Sequence, residues 1–272
     1  MHILIAHPNC KINLGLNIIA RRPDGYHDIE TVFYPVPLCD ELSVVPSSEE
    51  QFEAEGIPVA GNPSDNLVMK VVQLLRDNGH HVPTLSIKLR KQIPSGAGLG
   101  GGSSDAAHMM LLLNSMCELH LSPARMKEML GTLGADCPFF IENAPVFAQG
   151  IGDQFSPVSL DLSGWHLTLV KPDVSVSTKE AYALVEPHKP NIPINQIVNI
   201  PVEEWKECLV NDFEVSVFTR RPVIGRIKER LYQKGAVYAS MSGSGSSVFA
   251  LSRIPIYIDD DFADCFHFHC TM

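Results

Sequence analysis

The stretch Pro94 to Ala107, PSGAGLGGGSSDAA, constrains this chain more than any other. Five glycines, Gly96, Gly98, Gly100, Gly101 and Gly102, fall close together in it. Glycine loses the most backbone freedom on ordering, so such a run is neither a helix interior nor a strand interior. It suits a loop whose backbone N–H groups converge on an anion. Ser103, Ser104 and Asp105 follow, and then the apolar AAHMMLLLNSMCEL. That reads as hydroxyl residues at a helix cap followed by a long run of helix formers. A glycine loop feeding a helix N-terminus offers unpaired N–H groups and the positive end of a dipole, which together suit a phosphate.

Other glycine motifs fit less well. Gly96, Gly98 and Gly101 match GxGxxG, but the dinucleotide fold needs a strand ending in an acid about 20 residues later. The acid near that distance is Glu118, still within the helical pattern, and a further helix from Pro123 to Leu133 follows. GxxxxGK[ST] is excluded because the chain has no Gly-Lys pair, and the HRD and DFG signatures of protein kinases are missing. A purely structural turn is the bland alternative; five glycines beside paired serines are too costly for it.

At 272 residues the chain makes one large domain or two ordinary ones. Hydrophobic content of 45% with 19% charged residues indicates a soluble globular protein. The net charge of -10 argues against a nucleic-acid partner, which needs a basic face, but permits an anionic small molecule held by local donors. Seven scattered cysteines without a CxxC read as reduced thiols, hence a cytoplasmic location. MHILIAHPNCK lacks the parts of a signal peptide, and no apolar run approaches the roughly 20 residues that cross a bilayer, so no membrane partner is expected. Nothing in the sequence fixes an oligomeric state.

Along the chain, Cys10 to Ala20 alternates, with Cys10, Ile12, Leu14, Leu16 and Ile18 on one face and Lys11, Asn13, Gly15 and Asn17 on the other. This is expected to be a half-buried strand, and Lys11 taken alone reads as a solvated strand lysine. Arg21 to Gly25 is turn chemistry, and Tyr26-His27 opens a second strand through Phe33. Asp40 to Val45 is a strand, Ser48 to Gly61 a polar loop, and Asp65-Asn66-Leu67 caps a helix ending at Gly79. Leu85 to Leu89 is a strand leading into the glycine loop. Ser122 caps a helix with Pro123 at its first position. Asp136, between small residues and an apolar run, is expected to be partly buried; it needs a lysine, a metal or a substrate as partner unless it is a helix cap. A boundary falls around Pro157 to Gly164. Strands from Trp165, Ala236 and Ser247, helices from Ser177, Asn211 and Pro222, and a small-residue loop Ser242 to Ser246 complete the pattern. The tail CFHFHC puts Cys265, His267 and His269 on one side of a strand. A metal site is one reading; a terminal strand with Phe266 and Phe268 in the core is preferred, because the candidate ligands are crowded and lack a fourth.

Five segments occur in one order: PNCKINLGL, RRPDGYH, PSGAGLGGGSSDAA, LGADCPFF and MSGSGSSVF. Together they resemble the galactokinase, homoserine kinase, mevalonate kinase and phosphomevalonate kinase (GHMP kinase) superfamily. The KINL and DGYH segments are the narrower signal, and are similar to the branch serving the non-mevalonate (MEP) isoprenoid pathway. The resemblance runs to about Leu251, and nothing is assigned from Arg253 on. It implies a two-domain α+β GHMP kinase fold. A ribosomal-protein-S5-domain-2-like N-terminal domain, residues 1–156, carries the ATP loop; a ferredoxin-like C-terminal domain spans 157–272; the site lies in the cleft between them.

The resemblance also implies an activity: the γ-phosphoryl group of ATP passes to a tertiary hydroxyl of a small alcohol linked to cytidine diphosphate. It puts Asp136 beside that hydroxyl and Lys11 beside Asp136, as catalytic residues. A carboxylate can take the proton of a hindered alcohol, a role worth about 10²–10⁴-fold, and a lysine keeps the carboxylate ionised and stabilises developing charge. The ATP phosphates fall to Pro94, Ser95, Gly96, Ala97, Gly98, Leu99, Gly100, Gly101, Gly102, Ser103 and Ser104, with Ser103 or Ser104 near Mg²⁺. Asn13, Tyr26, His27, Thr178 and Tyr182 are implied to line the substrate pocket, Tyr26 and Tyr182 stacking on cytosine and His27 offering a hydrogen-bonding edge. The loop Gly243 to Gly245 is implied to face the substrate's phosphates or sugar. Two alternatives stay open: a superfamily kinase for another alcohol, and a nucleotide-binding regulator without chemistry.

Overall fold

The computed structural model describes residues 3–59, 61–258 and 262–272. After the short β1 (Leu4–Ala6), two long strands follow: β2 (Asn9–Arg21) and β3 (His27–Cys39). The turn between them is closed by Arg22 N–H on the Tyr26 carbonyl (2.8 Å) and by Asp24 accepting from the Tyr26 amide, with Gly25 at φ 88°. β2 is not half-buried as its alternation implied: Asn9 to Ile18 are all buried. Its polar face is covered by other segments. The Lys11 amide donates to the Leu99 carbonyl, and the Asn13 amide to the Ser242 hydroxyl. The side chains on that face find partners inside the protein, as burial requires. Lys11 Nζ donates to Asn13 Oδ1 (2.6 Å), Asn13 Nδ2 donates to Thr31 Oγ1 (3.0 Å), and Thr31 Oγ1 donates to the Gly15 carbonyl (2.6 Å).

β4 (Glu41–Pro46) is followed by β5 (Gln51–Gly56), where the sequence reads as a loop. β5 is an edge strand, parallel to β6 (Leu85–Lys91), so its residues stay exposed and need no apolar pattern. Glu53 pairs with Lys88 across this register. Between them α1 (Leu67–Asp77) starts at Asn66, whose Oδ1 accepts from the Val68 amide (2.9 Å), and the chain leaves it through Gly79 at φ 80°. Val68, Val71, Val72 and Leu75 recur at helical spacing and are buried, each contributing about 1.5–3 kcal/mol relative to exposure. α2 (Gly101–Met116), α3 (Pro123–Gly131) and α4 (Phe139–Glu142) follow, Ser122 Oγ capping α3 at Arg125 N.

The remaining elements are β7 (Val146–Gln149), β8 (Gln154–Pro157), β9 (His166–Lys171), α5 (Thr178–Ala181), α6 (Ile194–Ile197), α7 (Phe213–Arg220), α8 (Pro222–Gln233), β10 (Tyr238–Met241), β11 (Val248–Ser252) and β12 (Phe266–Thr271). Contacts divide the chain into two interleaved units. One comprises the chain up to Cys10, Pro37–Ser95 and Gly100–Ala144; the other comprises Lys11–Val36, Gly96–Leu99 and Pro145–Met272. In the first, a sheet of order β1-β4-β6-β5 accompanies α1 packed on α2. The second has two sheets, β2-β3-β7-β8 and β10-β11-β9-β12. Its core gathers Leu16, Ile18, Phe213, Val217, Ile224, Leu231, Met241 and Val248. In the tail, Phe266 and Phe268 alternate as expected but are only half-buried, because β12 is an edge strand paired to β9. No group of three or more His, Cys, Asp or Glu able to hold a metal ion occurs among the described residues. No described helix is long and apolar enough to cross a membrane.

Candidate active site

The glycine loop takes the conformation its composition calls for. Gly96, Gly98 and Gly100 have φ of 61°, 76° and 69°, left-handed values that side chains resist. A Cβ on Gly98 would lie 2.0 Å from the Ser242 carbonyl oxygen, whereas one on Gly96 would meet nothing within 4 Å. α2 begins earlier than the hydroxyl residues suggest: Gly100 is its N-cap, and Ser103 and Ser104 sit in its first turn. Three consecutive residues without side-chain bulk allow this early start. The Ser104 amide closes the turn on the Gly100 carbonyl (2.9 Å), so the amides of Gly101, Gly102 and Ser103 precede the first intrahelical bond. Ser104 is fully buried with its Oγ 3.4 Å from His108 Nδ1, which leaves Ser103 as the half-buried hydroxyl of this turn. Gly98→Ala is expected to lower the melting temperature well beyond Gly96→Ala, which incurs only the left-handed strain of about 1–2 kcal/mol. Thermal melts of both check this; equal behaviour contradicts it.

Beside the loop, the first unit contains a cavity of about 380 Å³ lined by Phe52, Leu67, Asn66, Lys91, Ser95, Gly102 and Asp105 among others. Two of its lining residues, Lys91 and Asp105, are buried charges, and a third buried charge, Asp40, pairs with Lys91. Lys91 Nζ donates to Asp105 Oδ2 (2.6 Å) and to Asp40 Oδ2. Asp40 Oδ1 accepts from the Gln92 and Ile93 amides at 2.5 and 2.8 Å. Burial pulls the Lys91 pKa down, and the two carboxylates more than offset this, so it stands above its ordinary value. Burial, with Asp40 adding to it against the pull of Lys91, pushes Asp105 up to about 7. Sequence reasoning missed Lys91 and Asp40 and read Asp105 only as a helix start. A signal existed: the period of two in β6 puts Lys91 on the same face as Leu85, Ile87 and Leu89.

Asp136 lies in the turn between α3 and α4 and is partly buried. Its neighbour Cys137 is buried, with a thiol pushed up to about 11 by burial against a hydrogen bond from the Ser103 hydroxyl. That contact seats the Asp136 turn against the first turn of α2. In the second unit, Lys11 is 3% exposed, bonded to Asn13 and 4.6 Å from the Phe33 ring centroid. Asn211 donates to the carbonyls of Met241 and Gly243 and so fixes the Ser242–Ser246 loop, whose Ser242 hydroxyl donates to the Gly98 carbonyl (2.8 Å). Lys11, Asn13, Gly98 and this loop therefore come together. His27 and Tyr182 stack at 4.4 Å, and Tyr182 meets Phe213 edge-on at 4.7 Å. Tyr26, next to His27 in the sequence, is 61% exposed, and Thr178, also exposed, opens α5 behind the Ser177–Glu180 capping box.

A glycine-rich loop at a helix N-terminus, a cavity of about 380 Å³ in the first unit and a second small-residue loop in the other are features expected of a small-molecule kinase. The family model "GHMP kinases N terminal domain" matches residues 66–143, and "GHMP kinases C terminal" matches 197–257. The chain belongs to the GHMP kinase family and has its two-domain α+β fold. Within that family it groups with the 4-diphosphocytidyl-2-C-methyl-D-erythritol kinases. The protein of that name from Parabacteroides distasonis is 54% identical over 265 residues, 97% of each chain, and the one from Bacteroides thetaiotaomicron is 55% identical over 252 residues, 91% of this chain and 92% of that protein. The match to the former runs past Leu251, where the recognisable motifs end. A crystal structure of 4-(cytidine 5'-diphospho)-2C-methyl-D-erythritol kinase superposes with a TM-score of 0.78 at 32% identity, covering 91% of this chain and 90% of that one. Methanococcus jannaschii mevalonate kinase shares the fold at 12% identity and a TM-score of 0.71, covering 100% of this chain and 98% of that one.

Proposed function

We propose that this chain transfers the γ-phosphoryl group of ATP to the 2-hydroxyl of 4-diphosphocytidyl-2-C-methyl-D-erythritol, a step toward isoprenoid precursors in the non-mevalonate (MEP) pathway. The observation that carries this is the 54% identity, over nearly the whole length, to a relative named for that substrate. The functional division into an ATP-binding domain over 1–156 and a C-terminal domain over 157–272 belongs to the same proposal, supported by family matches on either side of it.

In this reading the amides of Gly101, Gly102 and Ser103 hold the phosphates, with the loop from Pro94 to Gly100 wrapping them, and the base enters the adjoining cavity. Asp136 accepts the hydroxyl proton, and Lys11 stabilises charge on the transferring group. Positioning supplies much of the rest, since phosphoryl transfer is chiefly alignment and charge stabilisation. Mg²⁺ fits as a companion of ATP: the Ser103 hydroxyl, half-buried in the first turn of α2, is a hard oxygen donor of the kind such an ion takes beside phosphates. It would neutralise phosphate charge there. Asn13, His27, Thr178 and Tyr182 shape the cytidine pocket, and Tyr26 stacks on the base. A soluble, cytoplasmic enzyme acting without nucleic acid is the setting that fits.

Calorimetric titration tests the pocket. The wild type is expected to bind 4-diphosphocytidyl-2-C-methyl-D-erythritol, and Tyr26→Ala to bind it roughly tenfold more weakly with ATP affinity unchanged, as the loss of a base-stacking ring worth about 1–3 kcal/mol requires. Tyr26 is exposed, so its removal leaves the core intact. Failure of the wild type to bind this compound contradicts the proposal, and equal weakening of both ligands contradicts the role of Tyr26.

A further inference from the structure

We propose that Asp105 is the specificity-determining residue for the nucleotide base, its unpaired Oδ1 accepting a hydrogen bond from the exocyclic amino group of adenine. This rests on the ATP reading above and deepens it. Asp105 is 2% exposed and lines the cavity beside the phosphate loop. One of its oxygens, Oδ2, is taken by Lys91, which also fixes the plane of the carboxylate. The other, Oδ1, is buried without a hydrogen-bond partner. A buried acceptor left without a donor is costly, and a ligand donor in the cavity removes that cost. The cavity suits a flat ring: Phe52, Val59 and Leu67 line it along with Asn62 and Asn66. An adenine amino group supplies the missing donor, whereas a 6-oxo purine sets a carbonyl oxygen against the carboxylate. A site built around a hydrogen bond rejects the analogue that lacks it far more strongly than a merely apolar site does.

The protonation of Asp105 follows the same logic. The charged side chains around it are Lys91 from β6, Asp40 from the corner between β3 and β4, and Asp65 on the cavity wall. A carboxylate accepts the amino hydrogen; the protonated form, which burial and Asp40 favour below about 7, does not. Selectivity for the amino base is therefore full above that value and lost as pH falls through it.

The test compares ADP with IDP, which differ at the 6-position of the base, by calorimetry on the full chain without an acceptor alcohol. The wild type is expected to bind ADP on the order of 10²-fold more tightly than IDP near pH 8, and this ratio to shrink toward about pH 6. Because the phosphates are the same, their own titration cancels in the ratio. Asp105→Asn is expected to collapse the preference: Lys91 Nζ needs an acceptor, so the amide oxygen turns to it and the NH₂ faces the cavity, where it favours a 6-oxo base. A wild-type ratio near one, a ratio insensitive to pH, or an unchanged ratio in Asp105→Asn overturns the proposal while nucleotide binding stands. Binding of neither nucleotide overturns both this inference and the ATP reading. If Asp105→Asn fails to fold, the wild-type comparison decides alone.

Discussion

Replacing Asp136 by Asn is expected to lower kcat by roughly 10²–10⁴-fold while the protein still folds and binds both substrates. The amide has nearly the same shape and cannot take a proton at its oxygen under ordinary conditions. A tertiary alcohol is a hindered nucleophile that gains from losing its proton as the new bond forms. The side chain lies in a turn and is only partly buried, and the amide keeps its shape there. The effect therefore falls on kcat, with KM nearly unchanged, the pattern of an interaction made in the transition state. Steady-state kinetics with a binding titration separates the two. A variant with wild-type kcat removes Asp136 from the mechanism and leaves alignment by the loops as the whole of catalysis.

Lys91→Met is expected to have the largest effect on stability, about 3–5 kcal/mol, because it leaves Asp40 and Asp105 buried without their cation. For a chain of this size that is a drop in Tm of roughly 10 °C. The loss should be greater in alkaline than in acidic buffer. Asp105 already has its folded-state pKa raised to about 7, and removing Lys91 raises it further. A carboxyl whose folded pKa is raised supports the fold while protonated and costs stability as pH rises through that value. Melts at about pH 5 and pH 8 check the sign; a variant as stable as the wild type at the higher pH shows that the triad is not a structural anchor.

What could be read from the sequence was whatever local chemistry specifies. The glycines of the loop, Asn66 and Ser122 as caps, the Asp24-Gly25 turn and the 3.6-residue spacing of Val68, Val71 and Leu75 each act over a few residues, and the caps, the turn and α1 appear where those signals put them, while α2 starts inside the glycine run, ahead of the expected Ser103-Ser104 cap. Features that depend on partners far along the chain were hidden. β5 is polar because its ladder partner is β6, more than 30 residues away, and edge strands need no buried face. β2 is buried on both sides because the glycine loop and the Ser242 loop cover its polar face. The Lys91–Asp40 pair spans 51 positions, and the His27–Tyr182 stack joins residues of different sheets and helices. Asp105 was in plain view within the glycine motif, but the role proposed for it depends on Lys91 and on the cavity, neither of which local pattern reveals. Of the proposed catalytic pair, Lys11 was visible as a charge on a strand, and only its satisfied burial marks it as more than a surface lysine.

The most direct test of the central claim is ADP release by the purified protein with Mg²⁺-ATP and each of four alcohols: 4-diphosphocytidyl-2-C-methyl-D-erythritol, mevalonate, homoserine and galactose. Turnover confined to the cytidine-bearing alcohol is the expected result. Turnover with one of the other three, or ATP binding without ADP release for any of them, contradicts the account.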